Sequence, residues 1–209
     1  MTPEHASEVA IGEGGPALAV GSQPEISDPL DRAMDRYSEG DDAAFDELAR
    51  GLMPRLRAFL LRLSGSRELA DDLAQETFLR IHRARGSFAR GSAVVPWAFA
   101  IARNCFVSHA RAKKTRLSRS VLDVTTIEVA TGPDANAEAT LAAQQSAAIV
   151  SQALAAMPIA NREAFVLIRY EGMSVATAAQ LVGISEGALK LRAFRAYEIL
   201  RAALKEPAS

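Results

Sequence analysis

The chain has 209 residues, of which 49% are hydrophobic and only 6% aromatic, enough to bury one medium core or two small ones, with two small ones expected. No apolar run reaches the length of a membrane span and residues 1–23 carry no cationic start, so neither a spanning segment nor a secretory signal is expected, and the protein reads as cytoplasmic. The single cysteine, Cys105, excludes an internal disulfide and a multi-cysteine zinc site, and a formal net charge of −1 taken alone argues against a nucleic-acid partner.

The distribution of charge overturns that last inference. Residues 101–122 hold Arg103, Arg111, Lys113, Lys114, Arg116 and Arg119 without one acid, whereas residues 120–161 hold Asp123, Glu128, Asp134 and Glu138 without one Lys or Arg. Blocks of this kind select partners.

In chain order, residues 1–27 are rich in Gly and Pro and lack aromatics, which predicts a disordered arm, with order beginning near Pro29. Phe45, Leu48, Leu52, Leu56, Phe59, Leu60 and Leu63 then recur at helical spacing, with Asp41 and Asp42 placed to cap the helix and Pro54 expected to kink or split it. A turn at residues 64–66 leads to a helix over about 67–85 with an inward face of Leu69, Ala70, Leu73, Ala74, Phe78 and Ile81. After a loop over residues 86–95, Pro96 suits a first helical position, followed by the inward face Trp97, Ile101, Ala102, Cys105 and Phe106. These elements predict a first helical domain over residues 28–113. Residues 114–140 lack strong periodicity and contain Thr131-Gly132-Pro133-Asp134, the signature of a linker.

A second domain is predicted over residues 141–205. Ile149, Val150, Ala153, Leu154 and Met157 mark a helix that stops at Pro158, and another begins near Asn161. Residues 174–200 then read as two helices joined by a tight turn, with Ser174 and Ser185 as caps and Gly183 in the turn. Val175, Ala178, Ala179 and Val182 would line the first helix, and Leu189, Ala193, Ala196 and Leu200 the second. Lys190, Arg192 and Arg195 would face solvent on the second helix, as a helix that enters the major groove requires. With no strand pair and no repeat, the expected fold is all-α, two small helical domains joined by a flexible linker.

Residues 71–79 form the sharpest cluster of the first domain. On a helix Asp72, Gln75, Glu76 and Leu79 share one outward stripe, which suits docking to a basic partner. An enzyme in which Asp71, Asp72 and Glu76 hold magnesium for a diphosphate would need a deep apolar pocket, for which a lobe this small has little room. His5, His82 and His109 have no ligand-spaced partners, so no metal, cofactor or catalytic site is expected. The loop holding Ser87, Phe88, Arg90 and Ser92, with Trp97 and the cations beyond it, combines aromatic and basic groups suited to single-stranded DNA.

The order of Asp71-Asp72, Gln75-Glu76 and Phe78, then Trp97 with Ile101-Ala102-Arg103-Asn104, then a linker, then Glu171-Gly172-Met173-Ser174 through Arg195-Ala196, resembles a bacterial RNA polymerase sigma factor of the extracytoplasmic-function class. The resemblance covers about residues 28–204. It implies a non-catalytic factor that binds core RNA polymerase and directs it to promoter DNA, with no small-molecule substrate. Asp71, Asp72, Gln75, Glu76 and Leu79 are similar to the surface that docks on the clamp helices of the β′ subunit. Phe88, Arg90, Arg103, Asn104, His109 and Arg111 resemble the part that melts and reads the −10 element, and Lys190, Leu191, Arg192, Phe194 and Arg195 the −35 reader. Leu191 stands where the family often has a serine and Ser108 where it often has an acid, so promoter preference does not carry over. The resemblance also implies an anti-sigma factor that covers one or both lobes, and that, where membrane-bound, would hold the protein at the inner membrane face. For the acidic stretch 123–138 two readings stay open, a mimic of nascent RNA in its path through polymerase and an ordinary linker. The rival for the whole chain is a helix-turn-helix regulator that acts without polymerase.

Overall fold

The computed structural model describes residues 28–119 and 141–205, and their side chains over 28–113 and 146–205. They form α1 (Pro29–Ser38), α2 (Ala44–Ser64), α3 (Arg67–Ala84), α4 (Val94–Arg119), α5 (Leu141–Ala156), α6 (Ile159–Phe165), α7 (Val175–Val182) and α8 (Glu186–Lys205), with a 3-10 turn at Arg85–Ser87 and a π-helical segment at Val166–Tyr170. No strand occurs among the described residues. The expected arm over residues 1–27 and the acidic stretch 123–138 lie outside them.

The first lobe is α1 to α4. Asp28 starts α1 by accepting the Leu30 N–H at 2.9 Å, Pro29 occupies the opening position, and the helix buries Ala33, Met34 and Tyr37, a face that the sequence reading passed over. α2 runs unbroken through Pro54, contrary to the expected split, because Leu48, Leu52, Leu56, Phe59 and Leu60 are fully buried on both sides of it. Its N-cap is Ala43, and Asp41 instead accepts the Ala43 N–H at 3.1 Å. Gly65 ends α2 in the left-handed conformation at φ 71°, and Ser66 caps α3 through the Leu69 N–H at 3.3 Å.

α4 begins at Val94, two residues before Pro96, because the Val94 N–H donates to Asp31 Oδ1 at 2.8 Å. Burial raises the Asp31 carboxyl above its ordinary value, and that hydrogen bond partly offsets the shift. α4 then continues to Arg119, so the stretch read as linker from Lys114 opens as helix. Its buried face holds Ala98, Phe99, Ala102, Cys105 and Phe106, while Trp97 and Ile101 are half-buried.

The second lobe is α5 to α8, and it does not keep a core to itself. One continuous buried cluster joins Leu60, Phe99 and Ala102 of the first lobe to Ala164, Leu167, Ala178 and Leu189 of the second. Only Ala153, Leu154, Met157, Ala196 and Leu200 form a separate cluster, where α5 crosses α8. The expectation of two independent small cores is thereby corrected: α5 and α6 pack on α2, and α7 packs on α4.

Charged groups also cross this boundary. Glu171, with its side chain almost wholly buried, accepts from Arg55 Nη2 at 3.4 Å. Burial raises its carboxyl above the ordinary value of 4.5, more than the neighbouring Arg55 and Arg62 lower it. A carboxyl whose value is raised in the folded state stabilises that state while protonated and loses the contribution as pH rises through the raised value. At neutral pH the ionised Glu171 is therefore a net cost, and Glu171→Gln should raise the melting temperature there. The difference should shrink as pH falls through the raised value towards 4.5 and be gone below it. Thermal melts across that range check it; a lower melting temperature for the variant at pH 7 would show that the pair with Arg55 outweighs desolvation.

Candidate nucleic-acid and partner interfaces

The C-terminal helix pair has the geometry that its sequence predicts. Ser174 Oγ accepts the Thr177 N–H at 3.0 Å to start α7, and Ser185 Oγ accepts the Ala188 N–H at 3.2 Å to start α8. Between them Gly183 adopts φ 77°, and its N–H closes α7 on the Ala179 carbonyl at 2.9 Å. Ala178, Ala179, Leu189 and Ala196 are buried, and these small side chains let the two helices approach closely.

α8 turns Lys190, Leu191, Phe194 and Arg195 to solvent, while Arg192 is only half-exposed. Lys190 lies 3.8 Å from Glu186, an exposed one-turn pair that a phosphate or base edge can replace at little cost. Phe194 is 60% exposed, with Leu191 and Tyr197 beside it on the same side. Apolar groups among cations suit a major groove, where thymine methyls alternate with acceptors. Tyr197 was not singled out from sequence; its place two turns beyond Lys190 was the available signal.

On α3 the inward residues Ala70, Leu73, Ala74, Thr77, Phe78 and Ile81 are buried, which forces the intervening residues outward. Asp72 and Gln75 are exposed, as is Leu79 at 52%. Glu76 is half-exposed and accepts from Arg80 Nε at 2.8 Å. Asp71 leaves the stripe and accepts from Arg57 Nε of α2 at 2.6 Å. What remains is a narrow acidic ridge ended by an apolar side chain. No three of His, Cys, Asp and Glu converge as a metal site among the described residues, Asp71, Asp72 and Glu76 included.

The six residues assigned to −10 DNA do not form one surface. Phe88 is 6% exposed and packs edge-on against Trp97 at 5.0 Å, so it is a core anchor and not a stacking platform. That corrects its assignment, since an apolar ring beside an indole gains more from burial than from solvent. Arg90 is paired with Glu39, and the loop is tied to α1 by the Gly91 N–H on Asp35 at 3.1 Å. Asn104, His109 and Arg111 are exposed on α4. Arg103 points to the other lobe, where its Nε donates to Glu163 Oε1 at 2.7 Å. Cys105 is buried between these faces, and burial raises its thiol above the ordinary value, which keeps it protonated and inert.

The sequence reading also missed Arg162 and Glu163, both almost wholly buried at the lobe boundary. Nothing in the local pattern distinguishes them from ordinary solvated residues of α6. Only the packing of the second lobe on α2 and α4 identifies them.

An all-α fold with a helix-turn-helix and a basic outward face on α8 has the form of a DNA-binding transcription protein, here with a second exposed, acidic ridge on α3. Comparison with known proteins takes this further. Residues 48–116 match the family described as Sigma-70 region 2, and residues 147–200 match Sigma-70, region 4. The chain is 34% identical to the RNA polymerase sigma factor CarQ of Myxococcus xanthus over 83% of its own length and 96% of that protein's. It is 31% identical to the extracytoplasmic-function sigma factor SigM of Mycobacterium tuberculosis, over 87% of this chain and 86% of that one. Among solved structures it is similar to the sigma factor RpoE of Bartonella quintana, determined in complex with the anti-sigma factor NepR, with a TM-score of 0.61, 28% identity, and coverage of 78% of this chain and 98% of that one. The chain belongs to the sigma-70 family of RNA polymerase sigma factors, in its extracytoplasmic-function class. It is an alternative sigma factor that directs promoter-specific transcription.

At Gly183 a Cβ would meet no atom within 4 Å, so any penalty there comes from the backbone conformation alone. Gly183→Ala should cost about 1 kcal/mol, the price of a left-handed alanine. Denaturant unfolding checks it, and unchanged stability would show that the turn relaxes to another conformation.

Proposed function

We propose that the first lobe, residues 28–113, docks on core polymerase and handles the −10 element, and that residues 141–205 read the −35 element. In this scheme Asp72, Gln75, Glu76 and Leu79 contact the β′ clamp helices, with Asp71 steadying α3 against α2. Asn104, His109 and Arg111, joined by Arg103 once it is released from Glu163, engage the −10 strand. Lys190, Leu191, Phe194 and Arg195 face the −35 duplex, with Arg192 at the edge. The protein does no chemistry of its own.

The observation that carries this assignment is the pairing, in one chain, of an exposed acidic ridge ending in Leu79 with a helix-turn-helix whose second helix exposes cations. A regulator working without polymerase has no use for the first of these. No helix among the described residues is long and apolar enough to cross a membrane. We place the factor in the cytoplasm, with an anti-sigma factor as its inhibitor, since the Bartonella relative was determined bound to one. A membrane-bound inhibitor would hold it at the inner membrane face.

Transcription in vitro with purified core polymerase tests the function directly. Asp72→Ala with Glu76→Ala should leave the melting temperature nearly unchanged, because neither side chain is buried, while affinity for core polymerase falls. Full retention of affinity in a pull-down would remove the ridge from the docking surface. Lys190→Ala and Arg195→Ala should each weaken a −35 duplex by about 1–3 kcal/mol where the side chain reads a base, and mainly flatten the salt slope where it meets phosphate. Titrations at several salt concentrations separate these outcomes; unchanged binding in both variants would place the −35 reader elsewhere.

A further inference from the structure

The loop between α3 and α4 is pinned by a single row of acids on α1. Asp31, Asp35 and the C-cap residue Glu39 follow one another at four-residue spacing, so they share one face of that helix. Each takes a different part of the loop. Asp31 Oδ1 accepts the Val94 N–H at 2.8 Å, Asp35 accepts the Gly91 N–H with both oxygens, at 3.1 and 3.3 Å, and Glu39 pairs with the Arg90 guanidinium. α1 itself has little freedom: Ala33, Met34 and Tyr37 are buried, and a Cβ at Gly51 of α2 would overlap the Leu30 side chain.

Between the pins lies a tight turn. The Ser92 N–H donates to the Ala89 carbonyl at 3.1 Å, and Gly91 takes φ 72° at the third position of the turn. Phe88 and Val94, both buried, anchor its two ends, and Ala89, Arg90 and Gly91 are left exposed. What the turn offers is therefore backbone, small side chains and one cation. Asn104 follows Val94 on α4 by about 15 Å of helix rise, which matches about four nucleotides at about 3.4 Å each, so one DNA strand can meet the α4 face and this turn together.

Resting on the assignment of the first lobe to the −10 element, we propose that Asp35, flanked by Asp31 and Glu39, is a positioning residue for −10 recognition: it holds the turn at residues 89–92 in the one shape that discriminates bases of the −10 strand. A carboxylate close to a polyanion repels it, so acids beside a DNA-binding loop weaken binding by their charge alone. Their hydrogen bonds act in the other direction. A carboxylate that accepts from a backbone N–H forms a charge-assisted bond, stronger than a neutral one, and that strength fixes a short glycine turn. A loosened turn would still attract phosphate through Arg90, because phosphate contacts carry no sequence information, whereas base contacts need fixed geometry. Loss of the pin therefore costs selectivity before it costs affinity.

The test compares two substitutions that remove the same charge. Asp35→Asn keeps an oxygen that can accept the Gly91 N–H, and Asp35→Ala does not. Each full-length variant is combined with purified core polymerase and a pool of duplex DNA whose randomised upstream regions are linked to transcribed barcodes; sequencing the transcripts reads base preference at −35 and −10 separately. Asp35→Ala should flatten the preference at one or more −10 positions by about tenfold and leave the −35 preference intact, while Asp35→Asn should match the parent at both elements. Equal behaviour of the two variants overturns the proposal, since charge and not the hydrogen bond would then be the cause. A lower yield of transcript in Asp35→Ala with unchanged preferences, or equal flattening at both elements, overturns it too, because a merely structural role predicts that result. Circular dichroism checks folding; should Asp35→Ala lose helix, Asp31→Ala against Asp31→Asn makes the same comparison at the Val94 N–H. If the parent yields no transcript that depends on core polymerase, the sigma-factor assignment fails and the proposal with it, whereas a selective parent with an equally selective Asp35→Ala removes the positioning role alone.

Discussion

The buried guanidinium of Arg162 is the constraint on which the arrangement of this molecule turns. A charge removed from water must be matched by acceptors, and burial already lowers the pKa of this side chain from its ordinary value. Four backbone carbonyls supply the match, those of Arg62 and Leu63 from one lobe and of Ala155 and Met157 from the other. Its Nε finds no partner, so the match is incomplete, and any shift of α5 against α2 would strand further donors. The register of the two lobes follows from that geometry, and so do the pairs of Arg103 with Glu163 and of Arg55 with Glu171.

Around this fixed point the chain divides its helices by what each face must do. α2 carries buried apolar residues along its whole length because α1, α3, α4 and the second lobe pack on it. α3 and α8 lie at the outside and each leaves one face to solvent: the acidic ridge with Leu79, and the cations with Phe194. Opposite charge on two exposed helices gives a protein of net charge −1 one acidic and one basic face, which the proposed docking to a basic protein surface and to a polyanion would use. The exposed apolar side chains at both places are costly in free solution, which suits surfaces that are covered in a complex.

Much of the molecule was legible in residue order because the relevant signals are local. Helical spacing in α2, α3 and α8, the caps Ser174 and Ser185, and the turn at Gly183 depend on neighbours three or four residues away, and all formed as the pattern requires. So did the outward positions of Asp72, Gln75 and Leu79, since a helix with one buried face leaves the rest to solvent. Other features depended on residues far away in sequence. Pro54 stayed inside a helix because burial on both sides outweighed its lost hydrogen bond, α4 started early because Asp31 sits beside Val94, and Phe88 turned inward because Trp97 was there to receive it. The chain's own pattern thus determined which helices form and which faces they offer. Only tertiary packing decided that the two lobes share a core and that Arg103 is held by Glu163, because a contact between residues 60 positions apart leaves no trace in local periodicity.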